Sequence, residues 1–303
     1  MEDKYLPYRG NRNLKRIGVA IDWDEERISE YVKCAEDPVY FTETYMRIIH
    51  VDKGLVPFEL YDYQKEILRS YQNNRNTIIT TARQSGKSTT TCAFILWYIL
   101  FHAEKTVALL ANKADVAREI LGRIQLAYQH LPGWLQHGVR EWNKGSFILE
   151  NESRVFASAT SSDSIRGFSI NFLFIDECAH IENWEEFYTS TLPTISSGKT
   201  TKIGLVSTPC GLNHFYELWS LANQREEGKS IGKNGFFPIK VMWYQVPGRD
   251  EVWKNETLAQ MNFNYEKFRQ EHECIFGPTL LTVRDIQTGE IIELTVEELY
   301  GRL

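Results

Sequence analysis

Three short stretches of this 303-residue chain combine residue types and spacings that can do chemistry. The first, Thr81-Ala82-Arg83-Gln84-Ser85-Gly86-Lys87-Ser88-Thr89, contains Gly-Lys-Ser, the ending of a phosphate-binding loop. In that role Gln84, Ser85, Gly86, Lys87, Ser88 and Thr89 would cradle a nucleotide. Backbone N–H groups at the start of a helix are unsatisfied there, and the helix dipole is positive. Lys87 would reach the β- and γ-phosphates, and the Ser88 hydroxyl would ligate Mg2+. The first glycine of the usual G-x-x-x-x-G-K-[ST] spacing is Thr81 here.

The second stretch is Phe172-Leu173-Phe174-Ile175-Asp176-Glu177, an apolar run that delivers two carboxylates to the end of a strand. Asp176 would hold the Mg2+ shell, and Glu177 would orient and deprotonate an attacking water. The third is Ser207-Thr208-Pro209, two hydroxyls at a strand end. They could sense loss of the γ-phosphate, or be an ordinary turn closed by proline. Arg83 in the loop and Arg166 shortly before the apolar run that ends in Asp176-Glu177 are candidates to stabilise charge on the transferring phosphoryl group. Gln64 lies 23 residues before Lys87 and offers both a donor and an acceptor, matching the two-sided edge of adenine; alone it carries nothing, and in combination with the phosphate loop it suggests ATP rather than GTP. ATP is therefore the expected nucleotide.

A sheet must hold these residues at one edge. Thr77-Ile78-Ile79-Thr80 is short and largely β-branched, so it reads as a buried strand, whereas Cys92–Leu100 is long enough to be a buried helix. Thr106–Ala111, Ile170–Ile175 and Lys202–Ser207 read as further strands, with helices from Leu60 and through Ala114–His130. Gly145–Phe156 has the character of a hairpin, and polar Gln224–Gly235 of a surface loop. Helical periodicity is expected at Asp22–Tyr31 and at Tyr40–Ile49. Short apolar strands alternating with helices predict an α/β P-loop NTPase: a mostly parallel sheet with helices on both faces.

Composition is compatible with this and narrows little else. Hydrophobic residues at 43% and charged residues at 24% are ordinary for a globular protein. A net charge of -6 argues against a uniformly basic nucleic-acid coat, though not against a local basic face. The five scattered cysteines have no metal-ligand spacing and suit a reducing compartment. No stretch spans a membrane and no signal peptide opens the chain, so a cytoplasmic location without membrane partners is expected.

Over roughly residues 40–273 the chain resembles the large terminase subunit of tailed bacteriophages, the T-even type in particular. The resemblance rests on Tyr63-Gln64, Ala82-Arg83-Gln84-Ser85-Gly86-Lys87-Ser88, Phe174-Ile175-Asp176-Glu177, and the run Ser207–Tyr216 (Ser-Thr-Pro-Cys-Gly-Leu-Asn-His-Phe-Tyr). It implies a helicase-type ATPase that drives double-stranded DNA into a procapsid in the host cytoplasm, working with a portal and a small terminase subunit. It also implies Gln64 as the adenine contact and Arg83 as the cis arginine. Lys87, Ser88, Asp176 and Glu177 would be the phosphate, Mg2+ and hydrolytic groups, and Ser207 and Thr208 the coupling motif. Such terminases continue into a nuclease domain. Nothing after Phe268 offers its strands or carboxylates, so this chain is expected not to cut DNA.

The character changes at Cys274. The pattern Cys-x-x-Gly-x-Thr-Leu, two β-prone runs at Thr279–Arg284 and Glu290–Leu294 around Asp285–Gly289, and a capping box at Thr295 resemble the N-terminal block of a split intein. That resemblance makes Glu273 and Cys274 a splice junction, with the Cys274 thiol attacking the preceding carbonyl. No Thr-x-x-His follows and no His-Asn ends the chain, so a complementary intein C-fragment, carrying the nuclease domain, would be needed. The expected organisation is a helical lead-in (1–55), an ATPase domain (56–273) and an intein N-fragment (274–303). The alternative is a nucleotide-binding regulatory or DNA-binding module, or a helicase-like ATPase, whose last 30 residues form an ordinary terminal hairpin.

Overall fold

The chain opens on a ribbon of β1 (Pro7–Tyr8) and β2 (Asn11–Lys15), then helices α1 (Glu25–Glu36) and α2 (Pro38–Tyr45). A hairpin of β3 (Arg47–His50) and β4 (Gly54–Pro57) leads into α3 (Asp62–Asn73). The central part alternates β5 (Asn76–Thr81), α4 (Lys87–Phe101), β6 (Thr106–Ala111), α5 (Ala114–Gln129), β7 (Val139–Trp142), β8 (Ser146–Leu149), β9 (Arg154–Ala159) and β10 (Phe172–Ile175). There follow α6 (Trp184–Ser196), β11 (Lys202–Ser207), α7 (His214–Asn223), β12 (Phe236–Val241), α8 (Glu251–Gln260) and α9 (Tyr265–Phe268). The last elements are β13 (Leu280–Arg284) and β14 (Ile291–Thr295). This is a computed structural model, and it describes residues 7–161, 165, 167–196, 198–274, 280–286, 289 and 291–295.

Eight strands form one sheet in the order β12-β5-β11-β10-β6-β9-β8-β7. The β11–β10, β10–β6 and β6–β9 pairs are parallel, and β9–β8 and β8–β7 are antiparallel. Strands β6, β10 and β11 are largely apolar without alternation and buried along nearly their whole length, as strands covered on both sides must be. The sheet is the α/β architecture that the strand and helix pattern predicts.

Two compact units divide the chain: residues up to Thr77 with Gly86–Val206, and Ile78–Ser85 with the chain from Ser207 onward. In the first, α4 is apolar almost all round, with Thr90–Leu100 buried, and α2, α3 and α5 contact it. Phe94 of α4 meets Phe172 of β10 edge-on at 5.4 Å, and Tyr71 of α3 meets Phe172 at 5.5 Å. Gly204 leaves room for them, since a Cβ there would lie 2.9 Å from Tyr71. In the second unit, Ala82, Trp243, Leu258 and Phe268 form a buried cluster flanked by Trp253 and Met261.

One expectation needs correction. Tyr40–Ile49 is not one helix: α2 ends at Tyr45, and Arg47–His50 pairs with Gly54–Pro57, Ile48 opposite Val56. The cluster of β-branched Ile48 and Ile49 favours the pleated ribbon over the helix. The short helix expected after the Thr295 capping box falls on residues outside those described; Thr295 itself is the last residue of β14. The hairpins at Gly145–Phe156 and around Asp285–Gly289 are both present.

Candidate nucleotide-binding and hydrolytic site

In the first unit β10 runs buried to Ile175, so Asp176 emerges at its carboxyl end, 4% exposed. The Asp176 N–H donates to Leu110 O at 2.9 Å, continuing the ladder with β6, and its Oδ1 accepts the Glu177 N–H at 3.0 Å. Glu177 adopts left-handed backbone geometry, φ 50° and ψ 44°. A non-glycine residue there is uncommon, and such turns recur at functional sites.

Facing these carboxylates is the first turn of α4. Gly86, at φ 75°, caps the helix, and Thr90 Oγ1 and Thr91 Oγ1 donate back to the Gly86 and Lys87 carbonyls. That geometry presents Lys87 and Ser88. Lys87 Nζ lies 2.6 Å from Glu177 Oε1, and Ser88 Oγ donates to Asp176 Oδ2 at 2.6 Å. Burial raises the Asp176 pKa above the usual carboxylate range, and the Lys87 charge pulls the other way. Glu177 Oε2 is 3.6 Å from His180 Nδ1. His180 was missed by sequence reasoning, although Cys-Ala-His directly after Asp-Glu places it one short turn away.

The Ser88 hydroxyl and Asp176 carboxylate are hard oxygen donors, which suit Mg2+. That ion takes one or two protein oxygens and completes its shell with phosphates and water. Among the described residues no group of three or more His, Cys, Asp or Glu could hold a metal on its own.

Gln64 is buried at 2% exposure, and its Oε1 accepts the Tyr61 N–H at 3.0 Å at the start of α3. Its amide nitrogen abuts the loop: a Cβ on Gly86 would lie 2.7 Å from Gln64 Nε2. The glutamine thus packs beside the phosphate loop with one acceptor position already used. Asn112-Lys113-Ala114-Asp115 fits the Asn-Lys-x-Asp guanine box of GTPases. Here the tetrad runs from the end of β6 into α5, and Asp115 is exposed and paired with Arg118.

The second unit holds the first half of the loop. The Ala82 N–H donates to Val241 O at 2.9 Å, and the Arg83 N–H to Glu271 O at 2.8 Å. Arg83 Nε lies 3.0 Å from Glu271 Oε2, so its guanidinium is engaged by a residue that sequence reasoning did not single out. Gln84 is left-handed at φ 55°, and its carbonyl accepts from Arg249 Nη2 at 3.0 Å. Ser207 and Thr208 are buried at the end of β11, and Pro209 O accepts from Gln270 Nε2 at 3.4 Å. A π-helical turn, Arg269–Glu273, precedes Cys274. Cys274 is buried and left-handed at φ 49°, with Sγ donating to Val241 O at 3.6 Å. Arg166 lies outside the described residues.

A strand, a left-handed loop, a buried helix bearing Lys87 and Ser88, and a facing Asp176-Glu177 pair on an α/β sheet define a P-loop NTPase architecture. The chain belongs to the family described as "Terminase large subunit, T4likevirus-type, N-terminal", whose model matches residues 78–293. Its fold is similar to the large terminase ATPase domain of Thermus phage P74-26, at 21% identity and TM-score 0.58, over 72% of this chain and 94% of that one. It is also similar to the large terminase of bacteriophage HK97, at 16% identity and TM-score 0.65, over 82% of this chain and 56% of that one. A third likeness is to the large terminase of a thermophilic bacteriophage in complex with ATP-γ-S, at 11% identity and TM-score 0.50, over 66% and 49%.

Proposed function

We propose that this chain is the ATP-hydrolysing motor part of a phage DNA-packaging terminase. The observation that carries the reading is the pair of 2.6 Å contacts, Lys87 to Glu177 and Ser88 to Asp176. They bring the phosphate-binding and hydrolytic groups together from two separate segments. ATP is the nucleotide by analogy with the ATP-γ-S complex of the related fold. Mg2+ would sit with Ser88 and Asp176 and neutralise charge on the phosphates. Lys87, drawn to the phosphates, would leave Glu177 to accept a proton from water. The water oxygen then bonds to the γ-phosphorus as the bridging P–O bond to ADP breaks. Arg83 would stabilise the charge that develops, and Ser207 and Thr208 would relay phosphate loss to movement of double-stranded DNA. The partners of such a motor are a portal and a small terminase subunit, in the host cytoplasm.

The segment from Cys274 is proposed as the N-terminal fragment of a split intein, joining Glu273 to a partner that supplies the remaining intein and a nuclease domain. The Cys-x-x-Gly-x-Thr-Leu pattern and the β13–β14 hairpin support it. A second reading, a terminal hairpin of the ATPase itself, is favoured by the family match running through residue 293 and by burial of Cys274.

Phosphate release with ATP, Mg2+ and double-stranded DNA tests the first proposal. Lys87→Ala and Glu177→Gln should each abolish turnover, and unchanged turnover in either removes these residues from the mechanism. Mixing with the complementary fragment tests the second: ligation must occur and must disappear in Cys274→Ala.

A further inference from the structure

We infer that Arg249 is a positioning residue of the phosphate loop, a role that rests on the ATPase reading above. Its side chain contacts the one non-glycine loop residue held in left-handed geometry. Gln84 is at φ 55°, and Arg249 Nη2 donates to its carbonyl at 3.0 Å. A single left-handed residue of this kind costs on the order of 1 kcal/mol, so something must hold it. A charge-assisted hydrogen bond to the carbonyl is about twice as strong as a neutral one. It also fixes the direction of the peptide: with the Gln84 C=O turned to Arg249, the Ser85 N–H on the same peptide points the opposite way. That is the arrangement a phosphate-cradling nest requires.

The mounting of Arg249 is rigid. Val246-Pro247-Gly248-Arg249 is a tight turn closed by Arg249 N–H to Val246 O at 3.1 Å, with proline at its second position and Gly248 at φ 81° at its third. The next residue, Asp250, caps α8 by accepting the Trp253 N–H at 2.9 Å. The Arg249 guanidinium lies over the Trp253 ring at 4.7 Å, and Trp253 stacks on Trp243 at 5.8 Å. His272, edge-on to Trp253 at 5.2 Å, adds no opposing charge, because burial and the two nearby guanidiniums push its pKa down to about 4. A planar, stacked guanidinium gives directional donors that an ammonium does not.

The deciding experiment compares wild type, Arg249→Ala and Arg249→Lys by two measurements. Hydrogen exchange of the nucleotide-free protein reads the loop directly and needs no catalysis. Arg249→Ala should speed exchange of the Gln84–Ser88 amides about tenfold, with β6 and β10 unchanged and the thermal midpoint within a few degrees. Steady-state kinetics should show kcat down by roughly 10- to 100-fold and KM nearly constant, the pattern of lost preorganisation. Arg249→Lys should recover part of kcat and, if the alanine variant does not fold, supplies the comparison. Unchanged loop exchange overturns the inference, as does faster exchange with unaltered kcat. Wild-type protein without turnover would reject the ATPase reading instead, leaving the exchange result to decide the contact between Arg249 and the loop.

Discussion

Lys87 Nζ lies 2.6 Å from Glu177 Oε1, although the two residues sit on different elements and the lysine side chain is only 10% exposed. A cation and a carboxylate this close hold each other, and each must exchange its partner when phosphate arrives. Lys87→Ala should therefore lose nucleotide affinity, whereas Glu177→Gln should keep affinity and lose at least 100-fold in kcat. Their effects on turnover in the double variant should be far from additive, as for residues acting as a unit. Fluorescent-nucleotide titration beside phosphate release separates the two outcomes. Lost affinity in Glu177→Gln would contradict the assignment.

Gly86 is pinned twice. It is at φ 75°, and a Cβ would approach Gln64 Nε2 to 2.7 Å. Gly86→Ala should cost about 1–3 kcal/mol in stability by urea titration and displace the first turn of α4. Gln64→Ala in the same background, by opening space, should recover part of that stability but not the part due to φ.

Asp176 is a buried carboxylate whose pKa burial raises. Replacing it by Asn removes a buried charge while keeping an acceptor for the Glu177 N–H. Asp176→Asn should melt at the same temperature as wild type or a few degrees higher, and lose Mg2+-dependent turnover. Calorimetric melting and phosphate release check the two halves; a large drop in melting temperature would show that the carboxylate chiefly holds the fold.

His272 is 7% exposed, and its pKa falls to about 4 from burial first and then from Arg249 and Arg83. Its folded pKa is below its unfolded value near 6.5, so between those limits the unfolded chain binds more protons. Stability should be full above about pH 6.5 and decline as pH falls toward 4. The loss from this one group is on the order of 2–3 kcal/mol. His272→Gln should flatten that slope in urea midpoints measured across the window.

Cys34, Cys92, Cys178 and Cys274 are buried, and Cys210 is partly exposed. Brief alkylation of the native protein followed by peptide mass analysis should label Cys210 first and Cys274 only after unfolding. A Cys274 that reacts as fast as Cys210 would contradict its place behind Val241.

Residue order alone made the core of the site legible. The β-branched Ile78 and Ile79 before the loop, the long apolar run after it, and the four apolar residues before Asp176-Glu177 are local signals. Backbone sterics and burial act on them within a few residues. The odd loop with Thr81 in place of glycine was also readable, through its Arg83-Gln84 pair. The hairpin at Arg47–Pro57 was not, because an apolar run of that length satisfies helical and pleated periods equally, and pairing with Leu55 and Val56 decides it. Nor could the sequence show that Glu271 and Arg249 hold Arg83 and Gln84, or that His180 flanks Glu177. The contacts of Arg83 with Glu271 and of Gln84 with Arg249 join segments far apart along the chain. These two contacts depend on side-chain directions set where Trp243, Trp253 and Phe268 pack, and no spacing rule encodes them. The chemistry of the loop was written in its own residues; what orients that chemistry came from the tertiary structure.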